Sequence, residues 1–155
     1  MNSNEFSALD GSGLRIAIVA SRFHQALCDA MTADAQAALR ACGVASDRVT
    51  VIRVPGSFEL PVAASRLAST EAYDAIVCLG IVLKGETKHD EYIAMAVAQG
   101  LTDIAVDTGV PVAFGVLTVN ELAQAEVRAK GPQKKGWEAA MSAVETALAI
   151  RSIAV

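Results

Sequence analysis

Residues 73–92, YDAIVCLGIVLKGETKHDEY, contain the pattern that determines the fold. Within them, 75–83 is an uncharged run rich in β-branched side chains, which is the composition of a strand buried on both of its faces. Strands of this kind lie in the middle of parallel sheets. The apolar run stops at Lys84, and a helical spacing of apolar side chains follows from Asp90 onward. The stretch therefore predicts a central parallel strand, a loop and the N-terminus of a helix.

The loop in this stretch carries residue types that bind anions and move protons. Ligands of parallel α/β sheets bind beyond the carboxyl ends of the strands, and a helix N-terminus attracts anions. Gly85, Glu86 and Thr87 are therefore a candidate phosphate-binding loop, and His89 is a candidate proton carrier near neutral pH. An ordinary βα loop with a capping or solvated histidine is the structural alternative, and these residues alone leave the choice open.

Three further apolar segments surround this centre, and each precedes a predicted helix. The strands are predicted at 15–20, 49–54 and 110–117. Short right-handed crossovers between parallel strands then give a three-layer α/β/α sandwich around a four-stranded, flavodoxin-like parallel sheet. Residues 1–13 are predicted to form an N-terminal arm that is either flexible or joined to a neighbouring subunit, and residues 14–155 a single domain.

The composition predicts a tightly packed core and extensive subunit interfaces. Hydrophobic residues make up 53% of the 155 positions but aromatic residues only 5%, so alanine and β-branched side chains must fill the core. The mean hydropathy of +0.39 is high. The longest apolar run is nevertheless far short of the roughly 18 residues of a membrane span. We therefore assign the surplus apolar surface to contacts between subunits and expect no membrane association.

Charge and residue counts argue against several classes of function. A net charge of −4 supplies no basic surface for nucleic acid. Two histidines and three cysteines without a C-x-x-C pair predict no metal site, and the cysteines occupy apolar positions, as reduced core thiols do. The polar N-terminal stretch resembles neither a signal peptide nor a transit peptide, so we expect a cytoplasmic protein.

Three other positions have both a functional and a structural interpretation. Phe23, after the first strand, is either a stacking surface for a flat ligand or a residue folded back onto the core. In the turn 55–61, Ser57 is placed to cap a helix, and Glu59 either complements the helix dipole or accepts substrate hydroxyls. Arg128 either complements a helix C-terminus or binds phosphate as a bidentate donor.

Six motifs together resemble the lumazine synthase family in their order and spacing. They span the chain from about Leu14 to Ile150, and the combination of VPGSFELP with GETKH is the most specific. The motifs are 21–23 (SRF), 54–61 (VPGSFELP), 85–89 (GETKH), 114–118 (FGVLT), 124–129 (QAEVRA) and 135–140 (KGWEAA).

The resemblance implies a transferase of riboflavin biosynthesis. Its two small-molecule substrates would be 5-amino-6-(D-ribitylamino)uracil and 3,4-dihydroxy-2-butanone 4-phosphate, condensed to 6,7-dimethyl-8-ribityllumazine with release of phosphate and water. No cofactor is implied. The alternatives on the same fold are a non-catalytic flavin- or lumazine-binding protein and a shell-forming scaffold protein.

The resemblance also implies a role for individual residues. His89 would be the general acid/base. The residues implied for the pyrimidine and ribityl groups are Phe23, Ser57, Phe58, Glu59, Ile81, Val82, Leu83 and Phe114. The residues implied for the phosphate are Gly85, Glu86, Thr87 and Arg128.

The assembly implied by the resemblance is a pentamer, in many members of the family repeated twelvefold in a hollow icosahedral shell of 60 subunits. Phe114 and Arg128 would come from the subunit next to the one that gives Phe23 and His89. The loop 130–135 is one residue shorter than the usual loop and contains a proline, so the choice between pentamer and shell stays open.

The chain departs from the usual pattern of the family at three positions near the predicted site. His24 stands where Asn is usual, Lys88 where Pro or Thr is common, and Asp90 where Phe or Tyr is common.

Overall fold

A parallel sheet forms the centre of the computed structural model, which describes residues 9–131 and 133–153. The described residues contain four strands: β1 (Ile16–Ser21), β2 (Val49–Val54), β3 (Ala75–Leu83) and β4 (Val112–Val119). All neighbouring strands are parallel, and their order is β2-β1-β3-β4. The chain thus has the predicted four-stranded, flavodoxin-like sheet, with β1 and β3 inside and β2 and β4 at the edges.

Helices cover both faces of this sheet. They are α1 (Gln25–Ala41), α2 (Leu60–Ala68), α3 (His89–Thr108), α4 (Leu122–Ala129) and α5 (Lys135–Ile153), with single 3-10 turns at Ser46–Arg48 and Ser57–Glu59. One core lies between the sheet and α1, α4 and α5, and a second lies between the sheet and α2 and α3. The predicted three-layer sandwich is therefore confirmed. In the part of the chain that the structure describes, none of the helices is long and apolar enough to cross a membrane.

The burial of β3 explains its central place. Alternate side chains enter opposite cores: Val77 and Leu79 pack towards α1 and α5, while Ile76 and Cys78 pack towards α2 and α3. A strand with two apolar faces is stable only between two helical layers. The strand therefore fixes both the layering and the edge of the sheet at which 84–89 emerges.

The boundaries of the elements agree closely with the predicted ones. β2 and β3 have the predicted limits, whereas β4 begins two residues later than predicted. The reason is Pro111, which has no N–H for the sheet, although its carbonyl accepts a hydrogen bond from the Ile76 N–H. The helix predicted from Asp90 begins at His89.

Most of the predicted N-terminal arm, residues 1–8, lies outside the described residues. The rest of it packs on the same chain, because the Gly11 N–H donates to the Cys42 carbonyl at 2.7 Å and Leu9 contacts the core. The boundary between arm and domain at residue 13 stays a prediction.

Candidate active site

A cavity of about 960 Å³ lies beyond the carboxyl ends of β1, β2 and β3. This is where the topology of an open parallel sheet places ligands, and the volume suits a small organic molecule. Its walls come from the β1–α1 loop, the turn after β2, the end of β3 and the first two turns of α3. The lining includes ten of the predicted site residues: Phe23, Ser57, Phe58, Glu59, Ile81, Val82, Leu83, Gly85, Thr87 and His89.

The loop after β1 holds Phe23 out over this cavity. The Phe23 N–H donates to the Ser21 hydroxyl at 3.0 Å and to the Pro55 carbonyl at 3.1 Å, which ties the loop to the end of β2. The Phe23 side chain is 65% exposed, so the ring is not folded back onto the core. Of the two interpretations of Phe23, the structure favours a ring available for stacking.

The turn after β2 is built differently from the predicted cap. Ser57 does not cap the helix: its buried hydroxyl donates to the Ile81 carbonyl at 3.4 Å, because Gly80 leaves room for it against β3. The cap comes from Glu59, whose Oε2 accepts a hydrogen bond from the Gly56 N–H at 2.8 Å. Glu59 thus has its structural role, and the same residue lines the cavity.

The loop after β3 presents the candidate phosphate-binding and proton-transfer groups. Gly85, Thr87 and His89 line the cavity, and the Thr87 hydroxyl accepts a hydrogen bond from the His89 N–H at 3.4 Å. The His89 side chain is exposed at the first residue of α3. Glu86 is exposed and lies beside the cavity without lining it. The Gly85 N–H donates to Asp90 Oδ1 at 3.2 Å, so a carboxylate occupies this backbone donor.

Phe114 and Arg128 lie elsewhere on the chain. They line a second cavity of about 400 Å³ at the edge strand β4, together with Lys135 and Glu138. One Arg128 N–H donates to the Gln124 carbonyl at 2.9 Å, and Lys135 pairs with Glu138 at 2.6 Å. The two cavities share no lining residue. A single chain therefore does not bring Phe114 and Arg128 to His89.

Several residues that the motifs did not assign to the site also line the larger cavity. His24 precedes α1 in the left-handed conformation, with φ of 55°, and its ring lies edge-on to Phe23 at 4.7 Å between centroids. Its Nε2 is buried without a hydrogen-bond partner. Tyr92, Ile93 and Ala96 follow His89 at helical spacing on the same side of α3. That spacing was readable from the sequence, whereas the position of the His24 ring was not.

The Cys28 thiol contacts the loop that carries Phe23. Burial raises the pKa of Cys28 to about 11, and its Sγ donates to the Phe23 carbonyl at 3.4 Å. A thiol must ionise to act as a nucleophile, so Cys28 supports the Phe23 loop without reacting. Among the described residues, no three His, Cys, Asp or Glu side chains form a group that could hold a metal ion.

Comparison with known proteins identifies the family. A sequence model of 6,7-dimethyl-8-ribityllumazine synthase matches residues 13–151. The 6,7-dimethyl-8-ribityllumazine synthase of Kineococcus radiotolerans is 52% identical over 149 residues, which cover 94% of this chain and 91% of the relative. That of Mycolicibacterium vanbaalenii is 48% identical over 96% of this chain and 94% of the relative. The Synechococcus elongatus protein of the same name is 43% identical over 96% of this chain and 84% of the relative. The chain therefore belongs to the 6,7-dimethyl-8-ribityllumazine synthase family.

Proposed function

We propose that the chain condenses 5-amino-6-(D-ribitylamino)uracil with 3,4-dihydroxy-2-butanone 4-phosphate to 6,7-dimethyl-8-ribityllumazine in riboflavin biosynthesis. The observation that carries this proposal is the larger cavity, where ten of the thirteen predicted site residues converge. Those residues come from three segments that are distant in sequence, at 23, 57–59 and 81–89. Their convergence is expected of a binding site and not of three unrelated segments.

Holding the two substrates in register is the main contribution that the reaction needs. An amine adds readily to a ketone, and correct placement of two reactants lowers a barrier by several kcal/mol. Phe23 would stack on the pyrimidine, whose edge would meet backbone groups of Ile81 to Leu83. Glu59 Oε2 is bonded to the Gly56 N–H, so its other oxygen would accept ribityl hydroxyls beside Ser57 and Phe58.

His89 would move the protons. Addition of the amine to the carbonyl releases water and gives an imine, elimination then breaks the C–O bond to phosphate, and ring closure releases a second water. Each step transfers a proton, and an imidazole can both accept and donate one, a form of catalysis that typically adds about 10²- to 10⁴-fold. Gly85, Glu86 and Thr87 would bind the phosphate as it leaves, at the edge of the same cavity.

The chain carries two half-sites, which supports a site shared between subunits. Phe114 and Arg128 of one subunit would complete the cavity of the next, with Arg128 facing the phosphate. The assembly would be either a single pentamer or a shell of twelve pentamers with 60 subunits. Apolar side chains exposed on α3, namely Tyr92, Met95 and Val106, supply surface for such contacts.

The mass in solution distinguishes the two assemblies. Five chains of 16.1 kDa give about 80 kDa, and sixty give about 970 kDa. Analytical ultracentrifugation of the purified chain measures this directly, and a monomer at micromolar concentration would contradict a shared site. We also propose a cytoplasmic location, which suits the three cysteines present as buried free thiols.

Turnover tests the function itself. The purified chain is mixed with both substrates, and formation of the lumazine is followed by its absorbance against the uncatalysed reaction. We expect a clear acceleration. A folded, oligomeric protein that does not accelerate the reaction would overturn the proposal, and binding of the lumazine without turnover would identify the non-catalytic alternative.

A further inference from the structure

Asp90 occupies part of the loop that the proposed function assigns to phosphate. Its Oδ1 accepts a hydrogen bond from the Gly85 N–H at 3.2 Å, reaching back over five residues from the first turn of α3. The Asp90 side chain is half-buried and lines the cavity beside Gly85, Thr87 and His89. The anion-binding donor of the loop is thus already engaged by an anion of the same chain.

A carboxylate at this position competes with a phosphate group in two ways. Both groups need the same Gly85 N–H, and one backbone N–H makes one strong hydrogen bond. Both are also negatively charged, so the carboxylate repels a phosphate that binds beside it in a partly buried cavity. The phosphate therefore gains the Gly85 donor only when the Asp90 side chain has turned away.

We propose that Asp90 is a specificity-determining residue that acts as an internal competitor of phosphate. This inference rests on the proposed function, because that function places phosphate at Gly85. Asp90 keeps the loop ordered in the free protein and lowers its affinity for phosphate groups, since the binding-competent state is populated only when the carboxylate is displaced. The same competition promotes release of inorganic phosphate after elimination, when Asp90 returns to the Gly85 N–H.

The alternative is that Asp90 only stabilises the start of α3. An acidic residue in a first helical turn is favourable for the helix dipole whatever binds nearby. Glu91 provides the matched control, because it lies in the same turn, is exposed and does not line the cavity. Glu91→Gln and Asp90→Asn each remove one negative charge from the first turn of α3. Only Asp90→Asn removes the charge that faces Gly85.

The first experiment measures binding of inorganic phosphate to the assembled protein by calorimetry, without any turnover. We expect Asp90→Asn to bind phosphate about fivefold to tenfold more tightly than the unmodified protein, because a neutral amide competes less well than a carboxylate for the N–H. The affinity of Glu91→Gln for phosphate should stay within about twofold of that of the unmodified protein. Equal or weaker binding in Asp90→Asn would overturn the inference, and so would the absence of phosphate binding in both proteins at millimolar concentration.

The second experiment separates competition from a structural effect. In the condensation assay, Asp90→Asn should lower KM for the phosphate-bearing substrate by a similar factor and leave KM for the pyrimidine substrate within about twofold. A change in both constants would indicate a structural role and contradict the inference. A protein that binds phosphate as expected but does not turn over would refute the proposed function while supporting the role of Asp90.

Discussion

At the scale of single residues, His89 is the group whose loss should affect chemistry more than binding. We expect His89→Ala to slow condensation by about 100-fold without abolishing it, because the substrates are still held in register while proton transfer falls to water. Steady-state kinetics with each substrate varied in turn measures this. Loss of binding of the pyrimidine substrate, seen by calorimetry in the same variant, would contradict the role given to His89.

Gly80 controls the position of Ser57. A Cβ at Gly80 would lie 2.5 Å from Ser57 Oγ and 3.2 Å from Leu60 Cδ1, in a strand that cannot move aside. Gly80→Ala should therefore displace the Ser57 hydroxyl, raise KM for the pyrimidine substrate and lower the free energy of unfolding by about 1–3 kcal/mol. Urea denaturation at fixed protein concentration measures the second effect.

A double variant tests whether the hydroxyl is the cause. Removing it with Ser57→Ala should relieve part of the overlap, so Gly80→Ala combined with Ser57→Ala should cost less stability than the two single changes added together. Strict additivity would show that Gly80 acts through Leu60 instead.

The sequence predicted individual site residues where backbone geometry determines their place. Gly85 follows from the end of β3, because the limit of a buried strand is marked by where charge resumes, whereas the role of Ile81 was implied only by the family resemblance. The contact between Asp90 and Gly85 could not be predicted in this way, because it depends on how the loop 84–88 folds back on the helix that follows. The same holds for Ser57, whose partner Ile81 is distant in sequence.

At the scale of elements, two helical glycines should differ in how much stability is lost when each is replaced by alanine. A Cβ at Gly136 in α5 would overlap the backbone of Met31 in α1, which has no free space to yield. At Gly100 in α3 the nearest atoms belong to the Pro61 side chain, at 3.2 Å and 3.3 Å. Gly136→Ala should therefore lower the free energy of unfolding by about 3 kcal/mol. Gly100→Ala should change the free energy of unfolding by no more than about 1 kcal/mol, because the higher helix propensity of alanine offsets about that much.

Urea denaturation of the two variants beside the unmodified protein measures this difference. Equal effects would mean that α1 and α5 separate easily, contrary to a tight interface. Buried alanines of both helices belong to the core on this side of the sheet, among them Ala35 and Ala38 in α1 and Ala140 and Ala143 in α5. The composition predicted close packing of this kind, but it could not show which helices meet.

At the scale of the whole molecule, the residues proposed for one site lie in two separate cavities of the chain. The first carries an exposed aromatic ring and His89, and the second carries Phe114 and Arg128 at the edge of the sheet. The sequence predicted surplus apolar surface from its high mean hydropathy. The separation of the two cavities could not be predicted, because it depends on how the chain folds. The proposed site shared between subunits would account for both observations with one assembly.

Mixed oligomers test this explanation. Arg128→Ala should raise KM for the phosphate substrate, and His89→Ala should lower the rate, so each variant alone is slow at low substrate concentration. The two chains are then co-expressed so that they assemble at random into a ring of heterologous contacts. Each site takes His89 from one subunit and Arg128 from its neighbour, so both residues are intact in about a quarter of the sites. The mixed protein should therefore recover about a quarter of the unmodified activity.

The matched control pairs His89→Ala with Phe23→Ala, because both residues line the same cavity of one chain. Every site in that mixture contains one changed residue, so its activity should equal the mean of the two parents. Recovery in the first mixture but not in the second would locate Arg128 on the neighbouring subunit. No recovery in the first mixture, with co-assembly verified by affinity tags, would mean that Arg128 does not act across an interface.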